Sequence, residues 1–166
     1  MTSWDDLTAA EPELAGRAHA ILSSTTNAVL GTLRRDGSPR LSGIDPFFTR
    51  GDLWIGSMPG ARKADDLRRD PRVALHGVPW ESRRTRDGVE DPGEADVKVR
   101  GRAIQVDDAT AKAVMADFTE QRDLDPGPGE LFRIDVDDVV VVSVDGGALV
   151  VDRWSATGGR STVRRT

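Results

Sequence analysis

The 166-residue sequence contains no cysteine. Disulfides, thiolate nucleophiles and cysteine-based metal sites are thereby excluded. Histidine is almost as scarce. His19 and His76 are the only two, and neither has a second histidine or a carboxylate at ligand spacing nearby, so no metal site is expected. No apolar run approaches ~18 residues, so no transmembrane segment is expected. The opening "MTSWDDLTAAEPEL" lacks the basic start and apolar stretch of a signal peptide, and a cytoplasmic location is the expectation. A basic face is missing too. The 23 Lys+Arg stand against 28 Asp+Glu, for a net charge of −5, which argues against a nucleic-acid partner. There is no G-x-S-x-G elbow, P-loop or G-x-G-x-x-G. If the chain is an enzyme, a bound cofactor is expected to carry the reaction.

What is present fits a single domain with one core: 37% of residues are hydrophobic. Residues 1–26 hold an N-terminal helix, in which Leu14, Ala18, Ile21 and Leu22 follow the i, i+4, i+7, i+8 spacing of one apolar face. "NAVLGTLRRDGSPRLSGIDPFF" reads as a hairpin, with two β-prone runs flanking the turn dipeptide Asp36-Gly37. "GDLWIGSM" is a third strand, "GARKADDLRRDP" a short helix stopped by Pro71, and "RVALHGV" a fourth strand. A long charged loop with Pro and Gly follows at 79–96. "VKVRGRAIQV" alternates as a fifth strand. "DDATAKAVMADFTEQ" has the helical spacing of Ala111, Val114, Met115 and Phe118. "DPGPG" breaks the chain before a strand, an Asp-Gly-Gly turn and another strand. The tail at 155–166 is expected to be loose or to form an arm. The tally is mainly β with peripheral helices. Helices and strands do not alternate regularly, so an antiparallel barrel is favoured over a doubly wound parallel sheet. The pairs Asp65-Asp66, Asp107-Asp108 and Asp137-Asp138 fall near predicted element ends, where capping and solvation account for them.

One stretch resists a bland reading. In "SMPGARKADDLRRDPR", Arg62 and Lys63 occupy the first turn of the predicted helix, where the dipole favours acidic residues. A phosphate at that position would meet the free backbone N–H groups, Arg62, Lys63 and the Ser57 hydroxyl together. The alternative is a solvated helix in which Arg62 reaches Asp66 and Lys63 reaches Asp66 or Asp70. Spacing leaves both open.

"AVLGTLRRDGSPRLSGI" followed by "DLWIGSMPGARKADDLRRDPRVALH" resembles the pyridoxamine 5′-phosphate oxidase-like superfamily of flavin- and deazaflavin-binding split barrels. The match is most specific over residues 27 to 78, and actinobacterial deazaflavin-dependent reductases look most similar. The resemblance implies a six-stranded antiparallel split β-barrel that forms a homodimer, with FMN or the deazaflavin coenzyme F-420 in a groove at the interface. It implies that Arg62 and Lys63 hold the cofactor phosphate, with Ser57 and Met58 beside it. It brings Arg40, Leu41 and Ser42 toward the ring system or ribityl chain, and makes Trp154 a candidate to close the partner's pocket. The implied activity is hydride transfer to a small unsaturated or conjugated substrate, with the 79–96 loop as a lid. A flavin or haem carrier without turnover is the alternative. The ending "VDRWSATGGRSTVRRT" does not reproduce the C-terminal arginine and histidine motif of true pyridoxamine-phosphate oxidases, so vitamin B6 oxidation is not expected.

Overall fold

A computed structural model describes residues 1–24, 27–77 and 95–166. The first helix, α1 (Trp4–Ala10), is separate from α2 (Pro12–Ser23), whereas the sequence reading put one helix there. Ser3 and Asp6 form a reciprocal capping box that starts α1, and Pro12 at the first position of α2 starts a new helix instead of extending the old one. Trp4 and Leu7 of α1 and Leu14, Ala18, Ile21 and Leu22 of α2 are all buried in the main core.

The strands are β1 (Ala28–Leu33), β2 (Pro39–Ile44), β3 (Pro46–Thr49), β4 (Asp52–Ser57), β5 (Arg72–Gly77), β6 (Ala95–Gln105), β7 (Glu130–Asp145), β8 (Ala148–Ser155) and β9 (Gly159–Arg165). Helix α3 (Arg62–Arg69) lies between β4 and β5, and α4 (Asp108–Arg122) between β6 and β7. All pairings are antiparallel, in the order β2-β1-β5-β6-β7-β4-β3, with β8 on β7 and β9 on β8.

The two ends of that path, β2 and β3, are joined by Asp45 alone. A sheet whose opposite edges are tied by one residue must curl until they meet. The chain crosses this seam, but no β2–β3 ladder closes it. The strand count is therefore nine among the described residues, not six, and the barrel is not shut by hydrogen bonds. The loop expected at 79–96 lies outside the described residues up to position 94, and so does its role as a lid; Ala95 and Asp96 already belong to β6. The tail is also ordered differently from expectation. Residues 159–165 form β9, paired with β8 from Leu149↔Arg165 to Ser155↔Gly159.

Buried residues of β1, β4, β5, β6 and β7 meet α1 and α2 in the main core. A second cluster joins Phe47 and Trp54 to Val114, Phe118 and Leu131, seating α4 by the face its spacing predicted. In the β6–β7 ladder Arg100 faces Asp138 but Gly101 faces Val136, so Asp137 is an extra residue, a β-bulge. Asp137 and Asp138 thus sit inside a strand, not at a turn. Asp107, in contrast, caps α4 by accepting from the Thr110 amide at 2.8 Å.

Candidate functional site

The hairpin turn is where Asp36-Gly37 placed it, with Gly37 at φ 82°. Past β4, the Ala61 amide donates to the Met58 carbonyl at 3.2 Å, and Gly60 has φ 72°, so Pro59-Gly60 makes the tight turn into α3. Residue Ala61 occupies the N-cap of α3, and no side chain caps the helix. The first-turn amides are thus left without a capping side chain.

A cavity of about 290 Å³ opens beside this helix start. Ser57, Met58 and Lys63 line it, as do Gly43 and Ile44 from β2. The Ser57 hydroxyl is buried and has no hydrogen-bond partner, and the residue is only 7% exposed. The Lys63 amine reaches across to the Gly43 carbonyl, 3.4 Å away. Partial burial pushes its pKa below the ordinary lysine value. Two carboxylates on the wall are occupied. Glu130 accepts from Arg68 and from Gln105 at 3.1 Å, and Asp45 faces Arg122 at 3.1 Å. Burial pushes the Asp45 pKa up, against the pull of Arg122.

The far wall comes from helix α4, from the "DPGPG" break and from the start of β7. Residues 126–131 and the α4 side chains Met115 and Phe118 enclose it. A Cβ on Gly129 would stand 2.8 Å from the Ser57 carbonyl oxygen. Glycine there lets two backbones touch beside the cavity, and "DPGPG" was the only signal that could have suggested it.

The other candidates separate. Successive helical residues diverge by about 100°, and Arg62 turns away from Lys63. Its side chain is 81% exposed, 3.8 Å from Asp65, in a different cleft. Strand alternation splits the β2 trio: Arg40 and Ser42 are partly buried, while Leu41 is 75% exposed on the other face. Arg40 donates its Nε to Asp66 at 2.6 Å. Trp154 is 7% exposed, packs within the main core and does not line the cavity.

Sequence reading most underrated Asp66. It is no solvated helix residue but is 3% exposed, accepting from Thr32 Oγ1 at 3.0 Å, Arg40 at 2.6 Å and Arg69 at 3.1 Å. Burial would raise its pKa, yet these hydrogen bonds win and hold it below the usual carboxylate range. Arg69 pairs with Asp66, and Arg72 with Asp70.

A mainly β, antiparallel split-barrel fold with a cavity of mixed apolar and polar lining at a helix start defines the class of protein. A family model described as pyridoxamine 5′-phosphate oxidase matches residues 14–143, and the chain belongs to that family. No curated protein matches the sequence. Among solved structures, PhzG from Burkholderia lata 383, in complex with tetrahydrophenazine-1-carboxylic acid, is 12% identical; the match covers 96% of this chain and 91% of that one, with a TM-score of 0.61. A heme binding protein from Mycobacterium smegmatis is 16% identical over 93% and 88% of the two chains, TM-score 0.59. A putative 5-nitroimidazole antibiotic resistance protein from Bacteroides thetaiotaomicron VPI-5482 is 16% identical over 76% and 81%, TM-score 0.59. At these identities the likeness is one of fold.

Proposed function

We propose that the protein is an oxidoreductase that binds a flavin-type cofactor, FMN or F-420, by its phosphate, and transfers a hydride to a small unsaturated or conjugated substrate. The observation that carries this reading is the buried, partnerless Ser57 hydroxyl in the same cavity as the partly buried Lys63 amine. A buried hydroxyl without a partner costs about 1–3 kcal/mol, and a phosphate oxygen would satisfy it. The residues therefore fit the group. Ser57 would donate its hydroxyl proton, Lys63 would supply charge and a second donor, and the uncapped start of α3 would add backbone N–H groups. When bound, the cofactor supplies the hydride chemistry; the chain's part is to hold the phosphate, orient the ligand and keep water out with Met58, Met115 and Phe118.

The cavity is small for such a ligand, at the lower limit of the ~300–1,000 Å³ typical of small-molecule sites. Around it lie exposed apolar groups. Met58 is 76% exposed, and Leu41 and Val29, 75% and 42% exposed, stand on the hairpin face that carries Gly43. A second copy of the chain over this face would enlarge the pocket and cover those side chains, which favours a homodimer. Light scattering should then give twice the 18.0 kDa chain mass.

The test is a side-by-side titration of the purified protein with FMN and with F-420. Micromolar binding of either, weakened at least about tenfold in Lys63→Ala, supports the site. Affinity should also fall as pH rises through the depressed Lys63 pKa, below 10.5, because only the ammonium form attracts phosphate. Binding indifferent to Lys63→Ala would remove the phosphate assignment. Binding without turnover of any conjugated acceptor would instead mark a carrier.

A further inference from the structure

The other flank of α3 carries a cleft distinct from this cavity. It is open, about 930 Å³, and six arginines line it: Arg34, Arg35, Arg40, Arg62, Arg68 and Arg69. The facing carboxylates are only three, Asp36, Asp65 and Asp66. Positive charge is therefore in excess by three here, in a chain whose net charge is −5. Such a local reversal of sign concentrates anions.

The hydrogen bonds show which donors are spent. Arg68 is committed to Asp65 and Glu130, and Arg69 to Asp66 and the Leu33 carbonyl. The three carboxylates are spent as well. Asp36 accepts from Ser38, Asp65 from Arg68, and Asp66 from Thr32, Arg40 and Arg69. Arg40 uses its Nε on Asp66 and keeps the two terminal nitrogens of its fork. Arg62 has only the 3.8 Å approach to an Asp65 already taken. Arg34 and Arg35, from the β1–β2 turn, line the same cleft as Arg62. The buried Asp66 ties the two walls together, since it holds Thr32 of β1, Arg40 of β2 and Arg69 of α3. Its role is to order the floor of the cleft while leaving guanidinium donors on both sides.

We propose that this cleft is a second site, for a multiply charged anion bearing phosphate or carboxylate groups, held between Arg34, Arg35 and Arg40 of the β1–β2 hairpin and Arg62 of α3. Guanidinium forks bind either group bidentately, so the chemistry is shared and the source must be read from experiment. The proposal does not depend on the cofactor reading, because the cavity uses Ser57 and Lys63.

Calorimetric titration of the full chain with inorganic tripolyphosphate and with citrate, at about 50 mM and about 200 mM salt, tests it. We expect one-to-one binding that weakens with salt. Arg34→Ala/Arg35→Ala, confined to an exposed turn, should weaken it at least about tenfold, as should Arg62→Ala, while Lys63→Ala leaves it unchanged. Tighter tripolyphosphate binding assigns a phosphate chain, and tighter citrate binding an oligocarboxylate. Failure of both probes to bind at millimolar concentration overturns the proposal. So does binding that is lost in Lys63→Ala but intact in the arginine variants.

Discussion

Replacing Ser57 by alanine should separate stability from binding. The buried hydroxyl has no partner in the chain, so its removal is expected to leave the melting temperature unchanged or slightly raised. Flavin affinity should fall about tenfold, for the loss of one hydrogen bond to a charged group. Thermal unfolding and a cofactor titration on the same variant check both halves. Asp66→Ala should behave oppositely. It strands two arginines and Thr32 around a buried site, at a cost of about 3–5 kcal/mol; denaturant unfolding that shows less than about 1 kcal/mol would contradict the account. The contrast also shows what sequence could convey at this scale. Ser57 and Lys63 were legible because a turn and a helix start bring them together within seven residues. Asp66 was not, because two of its three donors are 34 and 26 residues away and no local spacing reveals them.

Among the elements, the bulge in β6–β7 makes the sharpest prediction. A Cβ on Gly101 would stand 2.1 Å from the Asp135 carbonyl oxygen. Gly101→Ala must therefore break the register or push the strands apart, and a loss of about 2–4 kcal/mol is expected in chemical denaturation. Gly43→Ala, where a Cβ would meet nothing within 4 Å, is the control and should cost little. The hairpin, α3 and α4 were readable from sequence because turn residues and helical spacing are local signals. The split between α1 and α2 was missed although Ser3, Asp6 and Pro12 announce it. The last strand was missed because its stability comes from elsewhere. Asp152, 2% exposed, accepts from Arg160 and Thr162 of β9 and from Arg17 of α2, so the end of the chain is fastened to its beginning.

For the whole molecule, the carboxylates set the acid limit. Burial alone would raise the pKa of Asp66 and of Asp152, but hydrogen bonds from their arginine and threonine partners lower both. Asp70 is held down at about 2 by Arg72, and Asp117 at about 2 by Arg50 and Thr49. A depressed folded pKa gives stability that is complete above the unfolded value of about 3.9 and is lost as pH falls through the folded one. Asp45 and Asp52, raised by burial, act in the opposite sense and gain stability as they protonate. The melting temperature should therefore hold from neutral pH to about 5 and drop between about 4 and 2; a flat profile down to pH 2 would refute this balance. The general architecture was legible because antiparallel hairpins follow one another in sequence, but the seam at Asp45 was not, since curling is a property of the finished sheet. The final ribbon has one more consequence. Among the described residues the outer edge of β9 pairs with nothing, and it ends in Val163, Arg164 and Arg165. An open row of backbone donors and acceptors is a template on which identical chains stack into aggregates. Arg164 spends its charge on Asp145, which leaves the exposed Arg165 as the charge that a second copy brought against that edge would meet.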